Sequence, residues 1–234
     1  MKLFKYILIV SLMFFVTVPT ISAKKKSAII GKRYFSLLYG LSDHSQFSDY
    51  VKTSKLGFNL PLSKRTELGF GASQSWVEED AFNSSTSQTI TTTHREYSYF
   101  TNFKFHFLPN SLVNPFLMAE IGNIVTDISQ ETNGVTPTTQ LTKGIMFGGD
   151  QNVADTQTEV NFYYSFSIGE EFLYNNEFSF LAYYTFGNYD NGSFNILTAS
   201  AGYWVLKKMY LDLQYKLNFN TNLSGISLVS KIQF

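Results

Sequence analysis

From residue 33 onward, apolar and polar side chains alternate one for one, in runs broken by short polar links. A period of two places successive side chains on opposite faces of an extended strand, so each run describes a strand with two unlike faces. His94–Phe107 is the clearest. Tyr97, Tyr99, Phe103, Phe105 and Phe107 make one face, and Ser98, Asn102, Lys104 and His106 make most of the other. The same reading applies to Arg33–Ser42, Tyr50–Leu62, Thr66–Val77, Asn114–Ile124, Glu159–Leu173, Glu177–Gly187, Phe194–Val205, Met209–Phe219 and the closing run Gly225–Phe234. In that last run Ile226, Leu228, Ile232 and Phe234 share a face. Ten strands are expected, with eight or twelve as alternatives, because the long connection Val125–Thr158 has room for a further hairpin around Leu141–Phe147.

The links between the runs are unequal. Those after the second, fourth, sixth and eighth strands are short: Ser63–Arg65, Leu108–Val113, Asn175–Asn176 and Lys207–Lys208. Those after the odd strands are longer on the whole. Two of them, the Ser- and Thr-rich Glu78–Thr93 and the polar Val125–Thr158, are much longer and are read as loops. Tight turns at one end and long loops at the other describe an antiparallel up-and-down arrangement of the kind that crosses an outer membrane.

Composition decides which face is outside. Charged residues are 15% of the chain and aromatics 17%, which is too little charge to cover the strands of a soluble protein of this size. The polar faces are largely Gly, Ser, Thr and Asn, small groups that suit a crowded interior. Aromatic residues also sit near both ends of the apolar faces, Tyr97 and Tyr99 at one end of the fourth strand and Phe105 and Phe107 at the other. Two such belts match the two interfaces of a bilayer. Beyond the N-terminal segment no apolar run approaches the ~20 residues of a spanning helix, so a membrane crossing must be made by strands. In hydrocarbon an open sheet edge leaves backbone groups unsatisfied, so the first and last strands are expected to pair and close a barrel.

The first residues have the pattern of a secretory signal. Lys2 and Lys5 precede the apolar run Tyr6–Val18, and Pro19–Ala23 leads to small residues, so removal after Ala23 is expected. The organisation is then a signal peptide at 1–23, a periplasmic tail at 24–32 and one barrel domain at 33–234. The full chain carries 18 basic and 18 acidic residues, and the signal takes two lysines with it. The remaining slight acidity gives no basis for binding nucleic acid. There is no cysteine, so neither a disulfide framework nor a lipid anchor at the cleavage site is available.

The signal ending at Ala23, the Gly-and-aromatic strands such as Leu68-Gly69-Phe70-Gly71, and the terminal Phe234 together resemble the small outer-membrane β-barrel family of Gram-negative bacteria. That family includes OmpA-like and OmpX-like barrels. The resemblance implies an assembly signal in the last strand, carried here by Ile232 and Phe234 and read by the barrel-assembly machinery. Val229 stands where such strands often have glycine. It also implies a monomer held in outer-membrane lipid.

Candidate lumen charges are Arg33, Lys55, Glu67, Lys104, Glu120, Glu171, Asp212, Lys216 and Lys231, mixed in sign. A narrow barrel fills its interior with side chains, and opposite charges there should pair. Asp212 and Lys231 lie on neighbouring strands and are partners if the register permits. Glu170 falls on the apolar phase, unless a β-bulge shifts the phase. Glu78-Glu79-Asp80 and Asp43-His44 sit at the loop end, where the ten-stranded omptin proteases carry Asp and His, but no Asp-x-Asp or Asp-x-His pattern occurs. His106 reads as a satisfied interior histidine. No catalytic residue, metal site or cofactor is expected. The expected role is structural or narrowly porin-like with a plugged lumen. The alternatives are an adhesin or receptor acting through loops 78–93 and 125–158 on an extracellular ligand and, third, an enzyme with its site at the rim.

Overall fold

The computed structural model describes residues 30–43, 49–83, 88–132, 157–174, 178–190 and 192–234. Ten strands make it up: β1 (Tyr34–Ser42), β2 (Val51–Pro61), β3 (Thr66–Asn83), β4 (Gln88–His106), β5 (Val113–Thr132), β6 (Gln157–Tyr174), β7 (Phe178–Tyr189), β8 (Gly192–Leu206), β9 (Met209–Asn218) and β10 (Leu223–Gln233). Each pairs antiparallel with its chain neighbours, and β10 pairs with β1 to close the barrel. The closing register runs from Tyr34 opposite Gln233 to Ser42 opposite Gly225, so no edge is left between the first and last strands. No helix among the described residues is long and apolar enough to cross a membrane.

The barrel is inside-out. Leu213, Ile226, Leu228, Ile121 and Ile168 each present more than half of their surface to the exterior. Asn59, Glu67, His106, Asn114, Ser165, Ser167, Asp212 and Gln214 are buried on the opposite phase. In water this would expose a belt of hydrocarbon around the whole molecule, far larger than a soluble monomer carries. In a bilayer it is the required arrangement. Outward aromatics pair at the short-turn end, where Phe58 stacks on Phe234 at 5.4 Å and Phe178 meets Tyr203 at 4.4 Å. Leu213→Arg, midway along β9 on the exposed face, is therefore expected to cost about 2–4 kcal/mol in lipid. The shift of the unfolding midpoint of liposome-inserted protein measures it, and an unchanged midpoint would contradict a lipid-facing Leu213.

The strands are not of equal length. β3, β4 and β5 run to 18, 19 and 20 residues, whereas β1 has 9 and β9 has 10. This corrects the reading of 78–93 as a loop: Glu78–Asn83 extend β3, and Gln88–Thr93 begin β4, paired from Glu78 opposite Thr93 to Asn83 opposite Gln88. Residues 125–132 likewise extend β5, and 157–158 begin β6. The cause is β-branching. Thr89, Ile90, Thr91, Thr92 and Thr93 favour extended backbone, yet above the apolar belt polar residues dominate and no regular hydrophobic period remains to betray the strand. The wall rising there is an extension of the barrel sheet. The signal at 1–23, His44 and the hairpin expected at Leu141–Phe147 lie outside the described residues.

Pairing is regular through Glu170, which stands opposite Pro115 on β5 and Ala182 on β7. There is no bulge at that point, and the one register shift among the paired strands falls between Trp204 and Leu206. Glu170 therefore stays on the outward phase and Glu171 on the inward one, where it is buried.

Candidate functional site

The interior divides into two halves. On the short-turn side, inward side chains of β1, β3, β4 and β6 to β10 converge on a residual void of about 40 Å³ lined by Tyr34, Glu67, Lys104, His106, Asp212 and Lys231 among others. On the loop side the lumen widens into a cup of about 610 Å³. Asn161, Asn218 and Asn220, with Glu96, Lys216 and Tyr189, line part of it.

Glu67 is the centre of the lower half. Only 3% of it is exposed, and β3 holds it between β2 and β4. Its Oε1 accepts the Gly31 backbone N–H at 3.1 Å, and its Oε2 accepts Asn59 Nδ2 at 3.2 Å. His106 Nε2 lies 3.7 Å from Oε1. On the far side of that ring, Nδ1 is 2.7 Å from Asn114 Nδ2. Asn114 Oδ1 is already used, since it accepts the Leu108 N–H at 3.3 Å. The amide therefore presents its nitrogen to the ring, Nδ1 accepts, and the imidazole proton sits on Nε2 facing Glu67. Lys104 stands opposite Glu67 in the register, with its Nζ 3.9 Å from the centroid of the Phe116 ring. The cation is thus seated on a π face, with the Glu67 carboxylate on the neighbouring strand.

A second cluster lies beside the first. Lys231 Nζ is 3.3 Å from Asp212 Oδ2, which also accepts Gln214 Nε2 at 3.1 Å. The two residues are not directly opposite: Lys231 pairs with Tyr210 and Asp212 with Val229, so the ion pair runs diagonally across β9 and β10. Tyr210, 1% exposed, fills the space between them and β7, with its hydroxyl bonded to Ser179 Oγ. Its ring meets Trp204 edge-on at 5.4 Å.

Between the lower cluster and the cup, Glu120 accepts the Tyr163 hydroxyl at 3.0 Å and Asn102 Nδ2 at 3.4 Å. Lys55 Nζ sits 3.7 Å over the Phe100 ring. Lys216 lines the cup and experiences the charges of Lys55 and Glu120. Of the nine charges picked from the sequence, Arg33 stands apart. It precedes β1 on the parity of Phe35 and is exposed, because the alternation puts odd positions of β1 outside. Ile232 and Phe234 lie on the outer face, more than a third exposed.

The inward aromatics are what the sequence reading missed. Phe100, Phe116, Tyr163 and Tyr210 are buried in a lumen expected to hold mainly small groups. Glycine makes room for them. A Cβ on Gly122 would meet the Tyr99 carbonyl oxygen and the Tyr163 ring, and one on Gly71 would meet the Phe100 ring. Each ring thus lies across the glycine of the adjacent strand, Phe100 opposite Gly71 and Tyr163 opposite Gly122. Parity along each strand was the available signal, since Phe100 is one residue out of phase with Tyr99 and Phe103.

A closed, inside-out, ten-stranded antiparallel barrel with polar side chains on its inner face is a small transmembrane β-barrel. No family model matches the chain, and no curated protein matches it. Among solved structures it is similar to the NanC porin, at 9% identity and a TM-score of 0.43, covering 86% of this chain and 98% of that one. It is also similar to Ail, the attachment invasion locus protein of Yersinia pestis, solved with the heparin analogue sucrose octasulfate (10%, 0.41, 87% and 97%). Neisserial surface protein A is comparable (11%, 0.40, 86% and 96%).

Proposed function

We propose that this chain is an integral outer-membrane barrel with a structural role, its lumen closed to free diffusion by the side chains of its short-turn half. The observation that carries this is the clustering of Glu67, Glu171 and Asp212 with Lys104, Lys231 and His106 around a void of about 40 Å³. A buried charge left unpaired is costly, so such a set holds itself together and resists hydration of the path. To pass this point an ion would have to shed its own shell and break the network as well. Among the described residues the cup above is floored by this cluster, so on this reading the lumen is a well. On this reading the chain needs no cofactor and performs no reaction.

The test is electrical. Purified protein inserted into planar bilayers in KCl is expected to give a stable baseline without discrete conductance steps. Reproducible steps from the folded, unheated form would replace the plug with a narrow pore. The folded form is recognised by its faster gel migration before heating.

A further inference from the structure

We propose that Glu170 is a lipid-recognition site on the outer wall, selecting a phospholipid with a primary ammonium headgroup in the leaflet at the short-turn side. The inference rests on the barrel standing in a bilayer. Glu170 shares the outward face of β6 with Ile168 and Phe172, which are 57% and 36% exposed. Its pairing is regular on both sides, so its direction is built into the sheet and is not the product of a bulge. Phe172 and Phe180, 6.5 Å apart, lie one outward row nearer the turns. With strands rising ~3.3 Å per residue and tilted ~40°, Glu170 sits about 5 Å inside that aromatic row. A carboxylate at that depth is out of bulk water yet within reach of the headgroup layer.

The surroundings fit one small cationic group. Along the row that crosses the strands, Glu170 is flanked by Pro115, Ala182 and Ala199, so the wall is low there and bulky on either side. Among the described residues Glu170 Oε2 is covered and has no hydrogen-bond partner. One of the two carboxylate oxygens therefore lacks a protein donor. An ethanolamine-type headgroup brings three N–H donors and a positive charge, and its acyl chains can lie along the exposed faces of Ile168 and Leu117. A trimethylated headgroup brings the charge with no N–H to donate. A second copy docked here about a two-fold axis would set two Glu170 carboxylates face to face, which disfavours that occupant.

The experiment is native mass spectrometry of the full barrel released from nanodiscs. These hold equal amounts of phosphatidylethanolamine and phosphatidylcholine with identical acyl chains. Wild type is expected to retain the ethanolamine lipid about tenfold over the choline lipid, the worth of one charge-assisted hydrogen bond. Glu170→Gln should remove the preference while the folded gel mobility is unchanged. Loss of folded mobility in wild type would instead bring down the membrane-barrel reading itself. Equal retention of the two lipids by folded wild type would overturn the site, as would a preference that survives in Glu170→Gln. Glu170-dependent dimers in place of retained lipid would also overturn it.

Discussion

Replacing Glu67 with alanine is expected to lower the unfolding free energy by about 3–5 kcal/mol, the cost of leaving buried charges without their partner. Four groups depend on this carboxylate. The Gly31 N–H and Asn59 Nδ2 lose their acceptor, His106 Nε2 loses the one acid within 4 Å among the described residues, and Lys104 loses the charge directly across the sheet. His106 and Asn59 cannot turn to water, because they are 0% and 7% exposed. Urea unfolding of the barrel in lipid vesicles, followed by tryptophan fluorescence, measures the effect. Glu67→Gln keeps the shape and one acceptor oxygen and should recover part of the loss. A drop below about 1 kcal/mol for the alanine variant, the range of exposed pairs, would mean that water enters the lower lumen and that the cluster is no seal.

Tyr210→Ala should have a comparable cost, about 3–5 kcal/mol, for a different reason. The ring is the largest fully buried side chain, touching Trp204 and lying among Leu173, Ser179 and the Asp212–Lys231 pair. Its removal leaves a cavity whose walls include a carboxylate and an ammonium, and such a cavity takes up water. The void below the cup would then widen by the volume of a phenol ring. Bilayers containing Tyr210→Ala are expected to show conductance steps that wild-type bilayers lack. An equally silent variant, with the stability loss present, would place the seal elsewhere in the lower half, at Glu67 and Lys104. Substitution of an outward ring such as Phe180, 50% exposed, should change neither conductance nor packing in this way, since lipid replaces the contact.

Much of the candidate site could be read in advance from parity alone. Once Leu68 and Phe70 are assigned outside, Glu67 must point in, and the same step places Lys104, Glu120, Asp212, Lys216 and Lys231. Parity also shows why Arg33 does not join them, for it shares the phase of Phe35. What parity cannot supply is the stagger between strands. The Lys231–Asp212 pair depends on β9 and β10 meeting with Tyr210 opposite Lys231, and a register slip of two residues would keep every face and break that contact. The linkage from Leu108 through Asn114 and His106 toward Glu67 crosses three strands or their turns, so no local pattern contains it.

The sequence by itself determined the two-faced strands, the face that meets hydrocarbon, and the unequal ends of the barrel, and it favoured ten strands over eight or twelve. Each of these follows from a two-residue period with strong apolar contrast, a local property of a chain whose strands lie half in lipid. The tertiary structure alone decided where β3 and β5 end and where β4 begins, because beyond the apolar belt those strands are mostly polar and the regular contrast between faces is lost. It also decided which lumen charges meet and which aromatic lies on which glycine. Those depend on closure of β1 on β10 and on the register that closure imposes around the whole ring.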